Sequence, residues 1–501
     1  MTTLPVMVLT LLLSNAPVSD AYFGIQIVDS QTGRGVPLVE LRTVNDQRFV
    51  SDSNGWVALH EPGLVNQEVY FHIRSHGYEF VADGFKYRGK RLKIVPGGRV
   101  VLKLKRLNIA ERIYRVTGGG IYRDSLLLGQ PAPLDQPVLN AQVFGSDSVV
   151  NAVYRDQIYW FWGDTNRASY PLGNYQVPGA TSPLPAKSKI NVDQGINLSY
   201  FINAKGFAKE TCAMPGPGPT WINGLVVLED AQGSERLFAR YAKVKSPLTI
   251  YERGLVEWND KTQEFKKYSV FDQQAPLYPA GHPFIHRDNG QSHVYFAQGL
   301  PYVRVAANPQ AMADTRQYEA YTCFHAGDRE KSFSIERDSA GKICYAWKRD
   351  TLPLTLERQQ QLVAGKKMTR DEGLFRTVDA HTGKPVNLAR GSVYWNAYRQ
   401  RWLMIGCQVG GTSYLGEIWY AEADTPVGPW NQAIKIVTHE KYSFYNPKQH
   451  PMLSQQGGRF VYFEGTYTNT FTSNREKTPR YDYNQLMYRL DLADNRLKAI
   501  R

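Results

Sequence analysis

Three acidic residues stand where an apolar strand gives way to a turn or closes on aromatic neighbours. They are Asp147 in Gly145-Ser146-Asp147-Ser148-Val149-Val150, Asp164 at the end of Tyr159-Trp160-Phe161-Trp162-Gly163-Asp164-Thr165, and Glu464 within Phe463-Glu464-Gly465-Thr466-Tyr467. Two carboxyl groups held together can cut an acetal, one protonating the departing oxygen while the other activates water or attacks carbon. Asp147 is the expected base or nucleophile. Apolar neighbours would raise the pKa of Glu464 and keep it protonated as the acid, with Asp164 orienting the substrate or tuning the pair. Glu417, in Gly416-Glu417-Ile418-Trp419-Tyr420, rivals Glu464 for the acid role. A turn-capping role is the plain alternative for both aspartates.

Polar and aromatic residues at comparable places form the expected binding set: Trp162, Asn223, Arg240, His282, Gln298, Arg390, His450 and Tyr467. The histidines, both in His-Pro phrases, could bond sugar hydroxyls or hold a carboxylate. No tight Cys/His spacing argues for zinc, and no metal or other cofactor is expected. A lyase would instead use Tyr467 or His450 as base beside Arg390 or Arg480.

These residues can meet only if the chain brings distant segments together. A strand-opening phrase returns five times: at Gly145–Val150, Pro219-Thr220-Trp221-Ile222-Asn223, Gly281-His282-Pro283-Phe284-Ile285, Gly391-Ser392-Val393-Tyr394-Trp395 and Gln449-His450-Pro451-Met452-Leu453. Five similar all-β units predict a five-bladed β-propeller, since each small sheet buries its faces only against its neighbours in the ring. The innermost strand of a blade runs away from one face and the second returns to it. Residues opening the first and ending the second therefore share a face, which pairs Asp147 with Asp164, Asn223 with Arg240, His282 with Gln298, Ser392 with Gln408, and His450 with Glu464. Spacing is widest between His282 and Ser392, where helical patches are expected at 308–316 and 356–366.

Ahead of the ring, residues 1–21 read as a signal peptide: Leu4 to Leu13 is nearly all apolar, and Ser19-Asp20-Ala21 suits cleavage after Ala21. About ten apolar residues fall short of the roughly 20 that span a bilayer, so the protein is expected to be secreted, periplasmic or on the cell surface, without a membrane span. Residues 22–106 alternate as short strands around Thr32-Gly33-Arg34-Gly35 and predict a small β-sandwich. Residues 107–140 lack periodicity and read as a connector, and 141–501 as the propeller. Ser51-Asp52-Ser53-Asn54-Gly55-Trp56 is expected to be a structural hairpin.

Of 501 residues, 42% are hydrophobic and 21% charged, a composition that excludes a disordered chain. The formal net charge of +13 attracts polyanions. No nucleic-acid-binding motif is present, so an acidic polysaccharide is the expected polyanionic partner, with solvated basic strand faces as the plain reading. Four cysteines permit disulfides in an exported chain, and Cys323 and Cys344, flanking a predicted hairpin, are the preferred pair.

The phrases Val28-Asp29-Ser30-Gln31-Thr32-Gly33-Arg34-Gly35-Val36-Pro37 and 43–55 resemble the transthyretin-like, carboxypeptidase-regulatory-like domain, which implies an accessory module. The Gly163-Asp164-Thr165 strand end and the 416–430 run resemble the five-bladed propeller glycoside hydrolases, the group of arabinanases, arabinofuranosidases and xylosidases. That resemblance implies a secreted hydrolase of a polysaccharide or oligosaccharide, with Asp147 matching the Asp that opens the first blade and Glu464 or Glu417 matching an axial acid. The phrases typical of fructan-cleaving members are missing. A non-catalytic carbohydrate-binding or cell-surface protein is the alternative.

Overall fold

The computed structural model describes residues 18–500 apart from Lys331 and Tyr481, so most of the expected signal peptide lies outside the described residues. The chain is all-β: a small sandwich followed by a ring of five sheets, with a further three-stranded sheet of Val143–Ser146, Thr165–Arg167 and Tyr170–Asn174 beside the first blade. Among the described residues no helix is long and apolar enough to cross a membrane.

The sandwich stacks two four-stranded sheets. One orders Trp56–Leu59, Phe23–Asp29, Arg99–Arg106 and Tyr78–Glu79; the other orders Arg48–Val50, Glu40–Thr43, Glu68–Arg74 and Gly89–Lys93. Alternation drives it, because inward Leu102 and Leu104 join Ile25, Ile27, Leu41 and Phe71 in one core while Arg99, Lys103 and Lys105 stay outside. The 51–56 hairpin is a structural joint. Asp52 accepts from the amides of Asn54 and Trp56 and, across the domain boundary, of Ser125, and burial raises its carboxyl to about 6.

The five innermost strands of the ring, Val150–Tyr154, Thr220–Glu229, His282–Asp288, Leu388–Asn396 and Ser443–Gln449, contact one another in chain order. Last meets first where Ser148 N donates to Thr466 Oγ1 (2.8 Å) and Asn446 Nδ2 to Ser148 Oγ (2.7 Å). The stretch expected as a connector supplies part of the ring: Glu111–Arg115 pairs antiparallel with Asn484–Asp491 and becomes the outer strand of the fifth sheet. A segment from before the ring thus completes its last blade. All five residues of that strand are buried, and Arg115 donates from Nε to Asn484 Oδ1 (2.8 Å). The two domains are fastened by Arg480, which donates to Asp124 Oδ2 and the Val50 carbonyl, and by Tyr467, whose hydroxyl meets His76 Nδ1.

Both helical patches form, as Pro309–Ala313 and Leu356–Ala364, capped by Asn308 and Thr355. The expected Cys323–Cys344 disulfide is not formed, and all four cysteines are free. The reason is the ladder between them. The 335–337 segment lies between the two, Glu336 N bonding the Cys323 carbonyl and Cys344 N the Glu336 carbonyl. Two strand spacings come to roughly 9–10 Å, past the limit of about 7 Å between bridged Cα atoms.

Candidate active site

The front face of the ring, where the innermost strands begin, carries a pair of carboxyl groups. Asp147 lies between Val143–Ser146 and the first inner strand, Val150–Tyr154, and Asp164 lies between the second, Gln157–Phe161, and Thr165–Arg167. Asp147 N bonds the Asp164 carbonyl (3.0 Å), and Gly163 N bonds the Asp147 carbonyl (2.8 Å). Gly163 is required here because a Cβ at that position would lie 2.0 Å from Asp147 Oδ1. Tyr445 of the fifth blade donates its hydroxyl to Asp147 Oδ2 (2.8 Å), and Trp221 of the second donates Nε1–H to Asp164 Oδ1 (3.3 Å). Three blades thus converge on two carboxyls.

Burial, then the charge of Asp164, raises the Asp147 carboxyl to about 7, against the pull of the Tyr445 hydrogen bond. Asp164 is also raised by burial, with Trp221 opposing. The Asp164 charge thus adds to burial in favouring the protonated form of Asp147. Both charges also hold the phenol of Tyr483 upward, after burial. Phe471, exposed beside Tyr445 with ring centroids 5.5 Å apart, gives the rim an aromatic surface.

Glu464 lies elsewhere. It sits mid-strand in Phe460–Thr468, opposite Lys448, and is fully buried where blade five meets blade one. His450 Nε2 approaches its Oε2 at 3.4 Å. The Asn151 amide meets His450 Nδ1 at 2.9 Å. Both Glu464 oxygens, His450 Nε2, the Tyr114 hydroxyl and Trp162 Nε1 are buried without a hydrogen-bond partner among the described residues. Burial holds Glu464 up near 8, and burial with Lys448 holds His450 far below the usual imidazole range, which favours the neutral form of each. The acid expected at the mouth of the ring sits inside it.

Glu417 is fully buried and spent on its own loop, accepting from Thr412 Oγ1, the Ser413 amide (3.4 Å) and Thr438 Oγ1 (3.2 Å). Trp162 is 1% exposed and stacks on Trp160 inside the blade, so its ring offers no face to a ligand. Tyr467 is taken up by the sandwich domain, and Arg480 by Asp124, which leaves the lyase arrangement unassembled. His282 is buried, its pKa driven down by burial and then by Lys448. Gln298, which ends the second strand of blade three, and Arg390, near the start of the innermost strand of blade four, are both exposed, and Gly299 packs against the Ala389–Arg390 backbone. Arg240 does meet Asn223, donating to Oδ1 at 3.3 Å. Among the described residues no cluster of three or more His, Cys, Asp or Glu side chains is placed to hold a metal ion.

The sequence reading passed over Trp221 as a ligand of Asp164. Its signal was its place in the repeated opening phrase, one blade on from Asp147.

No protein-family model matches the chain, and comparison with curated proteins returns no match. Solved structures similar to it include an exo-β-1,3-galactanase from Phanerochaete chrysosporium, at 9% identity and a TM-score of 0.36, covering 76% of this chain and 65% of that one. Others are a GH43_1 enzyme from Xanthomonas citri, at 10%, 0.34, and coverage of 70% and 88%, and a Penicillium chrysogenum α-L-arabinanase complexed with arabinobiose, at 11%, 0.33, and coverage of 70% and 99%. The chain spans just under two thirds of the galactanase's length. At these scores the fold rests on the sheets themselves.

Proposed function

We propose that this protein is an exported glycoside hydrolase acting on a polysaccharide or oligosaccharide, with Asp147 and Asp164 as its reacting carboxyls. The observation that carries the reading is the convergence of three blades on Asp147 and Asp164 at the front of the ring, where Tyr445 and Trp221 hold the two carboxyls. Carboxyls whose surroundings separate their proton affinities divide into a proton donor and an ionised partner. Asp147, the more strongly raised, donates its proton to the departing glycosidic oxygen as the C–O bond breaks. Asp164, ionised beside it, stabilises the positive charge that builds on the sugar. Once the leaving group has gone, Asp147 takes back a proton from the water whose hydroxyl bonds the anomeric carbon, which restores both carboxyls. The apolar run at Leu4–Leu13 supports export.

The test is reducing-end release from a panel of neutral and acidic polysaccharides by the wild-type protein and Asp147→Asn. The reading expects release on at least one polymer and its loss in the variant. Binding without release on any polymer would establish the carbohydrate-binding alternative.

A further inference from the structure

Beside the carboxyl pair, blade two carries positive charge that no carboxylate meets. Arg240 in Glu235–Lys245 and Arg253 in Thr249–Asn259 stand on adjacent strands, where Arg240 pairs with Leu255 and Ala242 with Arg253. They are diagonal neighbours on one face. Both guanidinium groups lie over the ring of Tyr278, at 5.0 and 4.4 Å from its centroid. Arg240 is only 7% exposed, and the Nε of each arginine is buried without an acceptor. Among the described residues neither arginine forms an ion pair, whereas Arg236, four residues earlier on the same strand, is held by both oxygens of Glu257. Burial first, and Arg253 as a like charge, lower the Arg240 guanidinium to about 10. Enclosed charges are ordinarily paired. One enclosed and one partly buried guanidinium sharing one phenol ring leave room in their charge balance for an anion.

The position says which anion. Asn223, which Arg240 grips, is two residues from Trp221 on the same strand and so on the same face. Trp221 in turn holds Asp164. Two residues of strand is about 7 Å, so the arginines border the place where a sugar would react. A third cation is without an ion pair among the described residues: Lys448, 3% exposed, donates to the Tyr394 hydroxyl at 2.9 Å.

We propose that Arg240 and Arg253 form a subsite for the carboxylate of a uronic acid residue, adjoining the sugar that sits over Asp147 and Asp164. The planar fork of a guanidinium matches the two oxygens of a carboxylate. The assignment rests on the hydrolase reading for the ligand being a saccharide, and on Arg240, Arg253, Tyr278 and Asn223 for its charge.

The experiment is isothermal titration calorimetry on the full-length Asp147→Asn protein, in which turnover is blocked. The probes are short oligogalacturonides and oligoglucuronates, and the same oligomers after reduction of their carboxyl groups to alcohols. At least one acidic oligomer should bind, and its reduced form should bind about tenfold more weakly or worse. Adding Arg253→Gln should cost the acidic oligomer a comparable factor and leave the reduced one unchanged, with Arg253→Lys recovering part of the loss. The reduced oligomer binding as tightly as its acidic parent would overturn the subsite, as would failure of every acidic oligomer to bind. Comparison of parent and reduced oligomers uses one protein, so it stands even if an arginine variant fails to fold. Acidic binding with no bond cleavage by wild type would sink the hydrolase and leave the subsite, while cleavage of neutral polymers without acidic preference would do the reverse.

Discussion

Replacing Asp164 by Asn removes one charge from the pair and keeps its shape, so it isolates how the two carboxyls act on each other. Asp147 stands at about 7 against an ordinary 3.8, with burial the larger cause and the Asp164 charge the next. A charge within a few ångströms moves a carboxyl by about one to three pH units, each about 1.4 kcal/mol, and the lower part of that range applies here because burial is the larger cause of the rise. In Asp164→Asn the burial remains and the repulsion goes. Asp147 should then lose its proton about one to two pH units lower than in wild type, yet still above 3.8. The Tyr445 hydrogen bond, which favours the carboxylate, survives the change and does not offset it. The assay is a carbon-13 NMR titration of protein labelled at the aspartate carboxyl carbons, the Asp147 resonance being the one lost in Asp147→Asn. Wild type should show a two-step curve belonging to the pair, and Asp164→Asn a single step. An Asp147 midpoint unmoved by the substitution would refute the coupling, and a wild-type midpoint near 4 would refute the enclosure as well.

Two further outcomes follow from the buried groups. Glu464 keeps its proton up to about 8 when folded and only to 4.5 otherwise, so stability falls as pH rises between those values, by several kcal/mol in all. Glu464→Gln, which mimics the protonated form, should melt like wild type at pH 4 and clearly above it at pH 9; parallel melting curves at both pH values would contradict this. Thiol labelling followed by mass spectrometry should modify Cys344 first in the native protein, because Cys212, Cys323 and Cys407 are buried with raised thiol pKa values, and all four after unfolding without reductant. Two unreactive thiols in the unfolded chain would show a disulfide.

The ring was legible because its opening phrases repeat and its strands alternate. Four of the five phrases fall on, or directly before, an innermost strand. The fifth does not: Gln449-His450-Pro451 closes Ser443–Gln449 instead of opening it. That slip in phase moved the apparent front end of blade five. It placed Glu464 at the mouth, when the second strand runs on to Thr468 and leaves Glu464 halfway down. The true opening of that blade carries Tyr445, which is why its hydroxyl reaches Asp147. The closing strand at 111–115 was illegible for another reason. Its partner lies far along the chain at 484–491, and five residues carry too little pattern to announce a pairing at that range. Gly163 was readable only as a turn former. Its need is set by the Asp147 carboxyl packed against it.

The central claim is that the reacting carboxyls are Asp147 and Asp164 and neither of the buried glutamates. It is tested most directly by comparing hydrolysis rates of Asp147→Asn, Asp164→Asn, Glu464→Gln and Glu417→Gln on a polymer that the wild type cuts. Loss of an acid or base is worth about 100- to 10,000-fold, and the first two variants should fall by that much while folded Glu464→Gln and Glu417→Gln stay within about tenfold of wild type. A glutamate variant that loses activity on that scale while Asp164→Asn retains it would contradict the account.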